Sequence, residues 1–537
     1  MTNGCLRIFA AVPVALLLVF LFGHWLPGDG PLVQICQASA GKDSPEEYRM
    51  GGSDAEDFGD EEGEESEDFG DGAGEALDLE GFGDEEEEVD DSFDSASDIN
   101  VNQILHALES RSAFTFGGFV KEAMAYGFTY DDPEWAKLKS SVNLTFDYEI
   151  SETWKSKLNV NGFYDYVYQY RGRDKFSDET LEAYESEFEI RDFYWDGSFS
   201  NQTYVKFGRQ IVAWGVSNSS QINDMVNPRY QRELGMVDLE DARLPVAASK
   251  FTKVFDSFDV SLVAVHEIRG HKMAVEGSEF DPFISMRGGF ITIEEQQVPD
   301  SDIENTEFAI RFSKLFNGGD VAFFYSNCYD DTPYLDFTEA TKSGSQGRLV
   351  LTPKHKRIWS VGFSGNMVSG SWLYKAELAK KYNLAQGRND ISMQLKELSE
   401  GRYDEDSEAI QTWREKNEVQ LMISVEYSGI SDLKITIEGV ENRIEEYEKI
   451  LSSKETSLML YMMLDYSTWN DALKAKLMTV YLPDDDSLVL RGSVEYDFID
   501  ALTGSLGAIF YEAEGEDARL YAYRKNDKVF ASIKYSF

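Results

Sequence analysis

Between Lys206 and Lys250 the chain reads KFGRQIVAWGVSNSSQINDMVNPRYQRELGMVDLEDARLPVAASK. Arg209, Gln210, Trp214, Asp224, Asn227, Arg229, Glu240, Asp241 and Arg243 all fall within it. Acids and guanidinium groups so closely spaced cannot face lipid. Folded into a water-filled lumen, they would form a mixed-charge constriction whose transverse field favours polar or zwitterionic solutes. A loop stapled to a wall by Arg–carboxylate pairs, out of contact with solute, is the equal alternative. The segment 213–244 is expected to lie inside, with Arg229 and Arg243 facing acids across a pore.

A second set of polar groups alternates with apolar ones. Lys155, Lys157, Arg191, Lys206, Arg311 and Lys375 are cations of this kind, and Glu187, Glu189, Glu377, Glu426 and Glu438 are the acids. On strands they would line a watery lumen. If Val205 and Phe207 face lipid, Lys206, Gly208 and Gln210 face inward, and Arg209 sits at the rim or is turned in by a bulge.

Catalytic patterns are weak. The histidines beyond the N-terminal leader are His106, His266, His271 and His355. None belongs to a Gly-x-Ser-x-Gly or His-Glu-x-x-His word. His266 and His271 are five apart, which does not put them on one helical face. Cys5, Cys36 and Cys328 form no CxxC or CxxCH pattern. No enzyme activity, metal or other cofactor is expected.

The elements that would position these groups have a period of two. In WKSKLNVNGFYDYVY, Trp154, Leu158, Val160, Tyr164, Tyr166 and Tyr168 share one face, while Lys155, Lys157, Asn159, Asn161 and Asp165 share the other. LKSSVNLTFDYEI repeats the alternation from Leu138 to Ile150. Each such segment is about as long as a tilted strand needs to cross a bilayer. Short turns (SET, SNQ, DS, NGGD, SGIS, IDA) alternate with long polar stretches near 169–185, 213–244, 269–304, 328–354, 382–417, 440–456 and 514–527. The fold class is therefore all-β. It is a transmembrane antiparallel β-barrel over 113–537, of eighteen strands, or sixteen if one weak pair is misread. The lumen loop would join strands five and six. Trp154, Tyr166, Tyr168, Trp195, Trp359 and Trp372 would form interfacial girdles. The alternating end KVFASIKYSF, closing on Phe537, resembles the signal read by the outer-membrane barrel assembly machinery.

Residues 1–40 read as a signal peptide: Arg7, an apolar run from Ile8 to Phe22, and a small-residue site at Ala38–Ala40. An uncleaved anchor is the alternative. Between Asp43 and Asp98 there are about 26 acids against Arg49 alone, so residues 41–98 are expected to be disordered in the periplasm. Three Phe-Gly-Asp words, at Phe58, Phe69 and Phe82, would be weak binding peptides on one tether, or simply part of a solubilising spacer. Residues 99–112 form a short amphipathic helix on which Val101, Ile104, Leu105 and Leu108 share a face. The net charge of −48 excludes nucleic acid as a partner. Outer-membrane lipid is the expected surrounding. Acidic words such as PDDDS, Pro483–Ser487, fall on outer loops, as solvated charge or as divalent-ion bridges to lipopolysaccharide.

GRQIVAWG, INDMVNPR and EDARLP, within Phe207–Pro245, resemble the fingerprint of a family of Gram-negative outer-membrane barrels known only as a domain of unknown function. Val216 departs from it, since the pattern has an acid after Trp-Gly. The resemblance implies an outer-membrane channel or conduit for small polar or amphipathic solutes, coupled to an RND-type exporter in the periplasm or inner membrane. A non-conducting anchor or receptor for that exporter is the alternative. A more distant resemblance is to alginate-export-type porins.

Overall fold

The structure is a computed structural model. It describes residues 113–130, 133–237, 242–284, 291–343, 346–391, 393–394, 410–516 and 518–537. The leader, the acidic segment with Phe58, Phe69 and Phe82, the helix expected at 99–112, and Glu240 and Asp241 lie outside the described residues.

Eighteen antiparallel strands form one sheet. In chain order they are β1 (Phe114–Gly127), β2 (Glu134–Ser151), β3 (Trp154–Asp165), β4 (Ser186–Ser200), β5 (Thr203–Gln210) and β6 (Val246–Val254). There follow β7 (Asp259–Val265), β8 (Glu307–Phe316), β9 (Gly319–Tyr329), β10 (Arg357–Ser369), β11 (Trp372–Gly387) and β12 (Trp413–Ile430). The last six are β13 (Leu433–Ile444), β14 (Thr456–Thr468), β15 (Leu473–Leu482), β16 (Ser487–Ile499), β17 (Leu502–Ala513) and β18 (Lys528–Ser536). Each pairs with its neighbours in sequence. β18 returns to β1, from Phe119↔Ser536 to Gly127↔Lys528, and closes the barrel. The main chain reinforces the seam: Gly118 N donates to Phe537 O at 2.8 Å and Phe537 N to Gly118 O at 2.9 Å.

The outer face carries the expected apolar belt. Phe207, Phe251, Leu262, Phe312, Phe323, Phe363 and Leu378 are all exposed there. Trp154 meets Phe199 edge-on at the short-turn end, and Trp372 packs on Tyr427. Trp359 stacks on Tyr382 at 3.6 Å toward the long-loop end. Two further short turns, at 370–371 and 469–472, join the short-turn end, while at the long-loop end the β15–β16 connection, 483–486, is a tight turn as well.

Three local features depart from simple alternation. β3 ends at Asp165, and the chain continues as a short helix, Val167–Arg171, so Tyr166 and Tyr168 are not strand residues. The cause is Asp165, whose Oδ1 accepts from Leu138 N (2.9 Å) and from Val167 N (3.1 Å) and so turns the chain inward. In β4 a register shift falls at Arg191. It lets Glu187 and Glu189 before it, and Asp192, Tyr194 and Asp196 after it, face the same lumen. In β5, Gly208 takes φ +121°, and a Cβ there would stand 2.2 Å from Phe193 O. Only glycine fits, and the resulting irregularity re-aims Arg209.

The long loops also build structure of their own. Tyr334–Ser343 and Gln346–Lys354 pair as a hairpin, and Ile291–Ile293 adds to it in parallel. Ile293, Leu349 and Leu351 form a small apolar core with Ile391 and Ile410.

Candidate functional site: the loop inside the barrel

Residues 211–237 and 242–245 of the connection from β5 to β6 lie against the inner wall. Its two feet are tied by Asn227, which is fully buried. Asn227 Oδ1 accepts from Val212 N at 2.7 Å, and Nδ2 donates to Leu244 O at 2.8 Å. Gln210, also fully buried, donates to Ala248 O at 2.9 Å. Asp224 is the local ionic centre. Its Oδ1 accepts from Trp214 N (3.2 Å), and its Oδ2 pairs with Arg243 (2.9 Å) and Arg229 (3.6 Å). The two arginines also form an antiparallel bridge with each other.

This corrects the expectation that Arg229 and Arg243 face acids across a pore. Both close on a carboxylate of their own loop, which is the stapling alternative. Arg191 donates to Arg243 O at 3.1 Å and joins the staple to the wall.

The acids that do reach the loop from the far wall are Glu377 on β11 and Glu438 on β13. Glu377 accepts from the N–H groups of Val216 and Ser217 (the latter at 2.7 Å), and from Asn223 N and Nδ2 at 3.2 and 2.9 Å. Glu438 accepts from Ser217 Oγ (2.7 Å), Asn218 N (3.1 Å) and both N and Oγ of Ser219. Ile222 packs beside them on Ala379, Met422 and Val440. Asn223 fills a notch left by Gly362, where a Cβ would stand 1.6 Å from its Oδ1. Lys381 donates to Gln221 O at 3.1 Å.

Further along, the same loop reaches another part of the wall. Glu233 pairs with Lys137 on β2, and Tyr511 of β17 donates to Leu234 O. Burial opposes ionisation of Glu233, but Lys137 and Lys139 outweigh it and bring its carboxyl down to about 2. Four cations surround Glu187 and Glu189 on β4. Arg232 and Lys272 pair with Glu187, and Arg209 (3.3 Å), Arg269 (2.8 Å) and Lys272 (3.0 Å) pair with Glu189. Arg209 also reaches Glu267 at 2.8 Å, so it belongs to the network.

The lumen is not polar throughout. Trp214, Val212 and Val226 cover a patch of inner wall made of Val246, Ala248, Val263, Val265, Ala309, Ala322 and Phe324. Arg311 lies on the inner face of β8, in register with Phe324. Lys206 lies over the Tyr194 ring at 3.8 Å, and Lys375 pairs with Glu426 at 3.4 Å. Lys157 stands in register with Asp147 and Tyr194, and Lys155 with Glu149 and Asp196 near a short turn. Between the loop and β1–β3 lies a small recess of about 80 Å³, lined by Lys137, Asp165, Tyr168, Arg232, Glu233 and Lys528 among others.

His271 is a site residue that the sequence reading discounted. Its Nδ1 accepts from Arg229 N at 2.9 Å, and it is buried. Burial, then the charges of Arg229 and His355, hold its pKa down to about 3.

Two outcomes follow from these contacts. Changing Glu377 and Glu438 together to Gln keeps their size and removes both charges, and charge-assisted hydrogen bonds contribute about 1.5–3 kcal/mol each. The amides of Val216–Ser219 should then exchange with solvent at least tenfold faster. Unchanged exchange in a folded barrel would refute the latch. The second concerns acid. Since the His271 pKa lies below its open-state value near 6.5, the open state takes up a proton between pH 6.5 and about 3 while the closed one does not. The closed contact is fully stable above pH 6.5 and weakens by about 1.4 kcal/mol per unit below it. Hydrogen exchange at the Arg229 amide should show opening easier by roughly 2–3 kcal/mol at pH 4.5 than at pH 7.5. His271→Asn, which keeps an acceptor but not the titration, should flatten that slope.

No curated protein matches the sequence. Among solved structures, Acinetobacter baumannii OccAB3 is similar at 8% identity, with 79% of this chain and 99% of that one covered and a TM-score of 0.46. Pseudomonas aeruginosa OccK2 (OpdF) in complex with glucuronate is similar at 8% identity, with 79% and 98% covered and a TM-score of 0.43. Salmonella typhi OmpF in complex with daunomycin follows at 10% identity, 79% and 97% covered, and a TM-score of 0.36. Likenesses this distant carry no functional inference. Residues 128–537, the barrel almost entire, match the family model described as protein of unknown function (DUF1302), and the chain belongs to that family.

Proposed function

We propose that the protein is a porin-like channel of a Gram-negative outer membrane, passing small polar or amphipathic solutes, with the loop 211–245 as its constriction. The observation that carries this reading is a folded-in loop held by wall carboxylates beside a small recess lined by both charge signs and by aromatic rings. Charged groups fixed at close range orient a passing dipole, and the rings offer surface to its apolar part. The groups fit solute passage; no nucleophile–base pair figures in the proposal.

The test is conductance of the purified barrel in planar bilayers, with solute efflux from liposomes. Wild type should conduct, and deletion of residues 217–236 should raise conductance several-fold, because it removes the contacts to Glu438 and Lys137 and all but that of Val216 to Glu377. If neither form conducts at any voltage, and no solute leaves the liposomes, the protein is an anchor or receptor instead.

Coupling to an RND-type exporter, through the Phe-Gly-Asp words of the acidic segment, is part of the same proposal. Each Phe would be an apolar anchor in an acidic field, and three on one tether raise the effective concentration. Changing Phe58, Phe69 and Phe82 to Ser leaves every charge in place. The variant should assemble normally but lose co-purification with the exporter; identical partners in both forms would make the segment a spacer.

A further inference from the structure

The wall is incomplete beside the lumen loop. β5, β6 and β7 have only eight, nine and seven residues. At a tilt near 40° such strands climb roughly 18–23 Å, less than the apolar band of about 25 Å. Their lower ends meet the short turns, so the shortfall lies at the long-loop end. β4, with fifteen residues, continues past them. It pairs with β5 only from Phe193 to Ser200, against Arg209 to Thr203. Above Phe193 it pairs with β3 alone, because β5 ends at Gln210 and the chain turns into the lumen. Among the described residues no strand meets that second edge of β4. Phe193 stands about 18 Å above Ser200, so the bare edge starts inside the apolar band.

Hydrocarbon cannot satisfy such an edge, so the edge must meet water. What closes the gap is charge. Arg209, at the head of β5, reaches Glu189 on β4 at 3.3 Å and Glu267, just past β7, at 2.8 Å. Arg269 reaches the same Glu189 at 2.8 Å and donates to Pro245 O at 2.7 Å. The Arg209 and Glu267 side chains keep 24% and 27% of their surface exposed. Outside this clasp stand Phe188 and Ile190, 73% and 42% exposed. Inside it, Glu187 holds Lys272 and Arg232, and Arg232 also lines the recess between the loop and β1–β3. Glu187, Glu189 and Glu267 are thus all occupied by cations, whereas Nε of Arg209 and Nε of Arg232 are buried with no acceptor among the described residues. Donors left over along the path suit an anionic group, and the apolar rim suits a hydrocarbon chain.

We propose that this gap is a lateral portal between the lumen and the outer leaflet, used by single-chain amphiphiles with an anionic head, and that Arg209, Glu189 and Glu267 form the clasp that closes it. The head passes between the recess and the gap by way of Arg232 and Arg209, while the chain lies in the lipid past Phe188 and Ile190. No ladder of backbone hydrogen bonds has to break for this. Only ion pairs open, and the anionic head replaces the carboxylates that the arginines release. The portal deepens the channel reading, on which it rests, by naming the solute class and its way through the wall.

The probe is dodecyl phosphate bearing a diazirine next to its head, dissolved in liposomes that hold the full-length protein. On illumination the wild type should be labelled at Arg232 and Lys272, inside the clasp. The same chain with a trimethylammonium head should label them at least tenfold less. In Glu189→Cys/Glu267→Cys, with the native cysteines changed to Ser, a short bis-maleimide joins the two sides of the gap. Stitching should cut the label at Arg232 and Lys272 at least tenfold relative to the same variant unstitched, with both forms folded by heat-modifiable gel mobility. Labelling is read without conductance, so the portal and the channel reading fail separately. Label confined to Phe188 and Ile190, equal label after stitching, or equal label from the two heads would each overturn the portal, whether or not the barrel conducts.

Discussion

A sheet surrounded by hydrocarbon cannot keep an edge, because no water is present to take up its free N–H and C=O groups. The pairing of β18 with β1 meets that constraint. Closure in turn divides every strand into an outer and an inner face, and the period-two sequence fills the outer one with aromatic and aliphatic side chains. The enclosed space is then filled by the chain itself. The register shift at Arg191 and the positive φ of Gly208 arise where the wall must serve the interior rather than the lipid.

A loop brought inside inherits the same difficulty in milder form, since its backbone donors leave bulk water. Glu377 and Glu438 answer it by accepting several N–H and hydroxyl groups each. The absence of an acid at Val216 fits this arrangement. A carboxylate there would stand beside two others already committed to the loop, and like charges at such range repel. Val216 instead donates its N–H to Glu377 and packs its side chain by Ile222.

The barrel was legible in the sequence because its signals are local: alternation along each strand, and short turns between long polar stretches. Phe308, Ile310 and Phe312, for example, announce one face of β8 without reference to any other strand. The partners of the lumen loop were not legible in that way. Asp224, Arg229 and Arg243 lie within twenty residues of one another, yet nothing in their spacing distinguishes a staple from a field across a pore. Glu377 and Glu438 were recognisable as inward-facing, but their attachment to Val216–Ser219 depends on where the loop crosses the barrel. The turn at Asp165 was missed because Tyr164, Tyr166 and Tyr168 continue the strand alternation while a side-chain cap ends the strand.

The latch also has a consequence for the order in which the molecule is made. Glu377 lies 160 residues after Ser217, and Glu438 lies 220 after Asn218. The loop leaves the growing chain long before either acceptor exists. Contacts of such separation close only after the intervening chain has been ordered. The loop therefore cannot take its full set of wall contacts until strands β11 to β13 are in place.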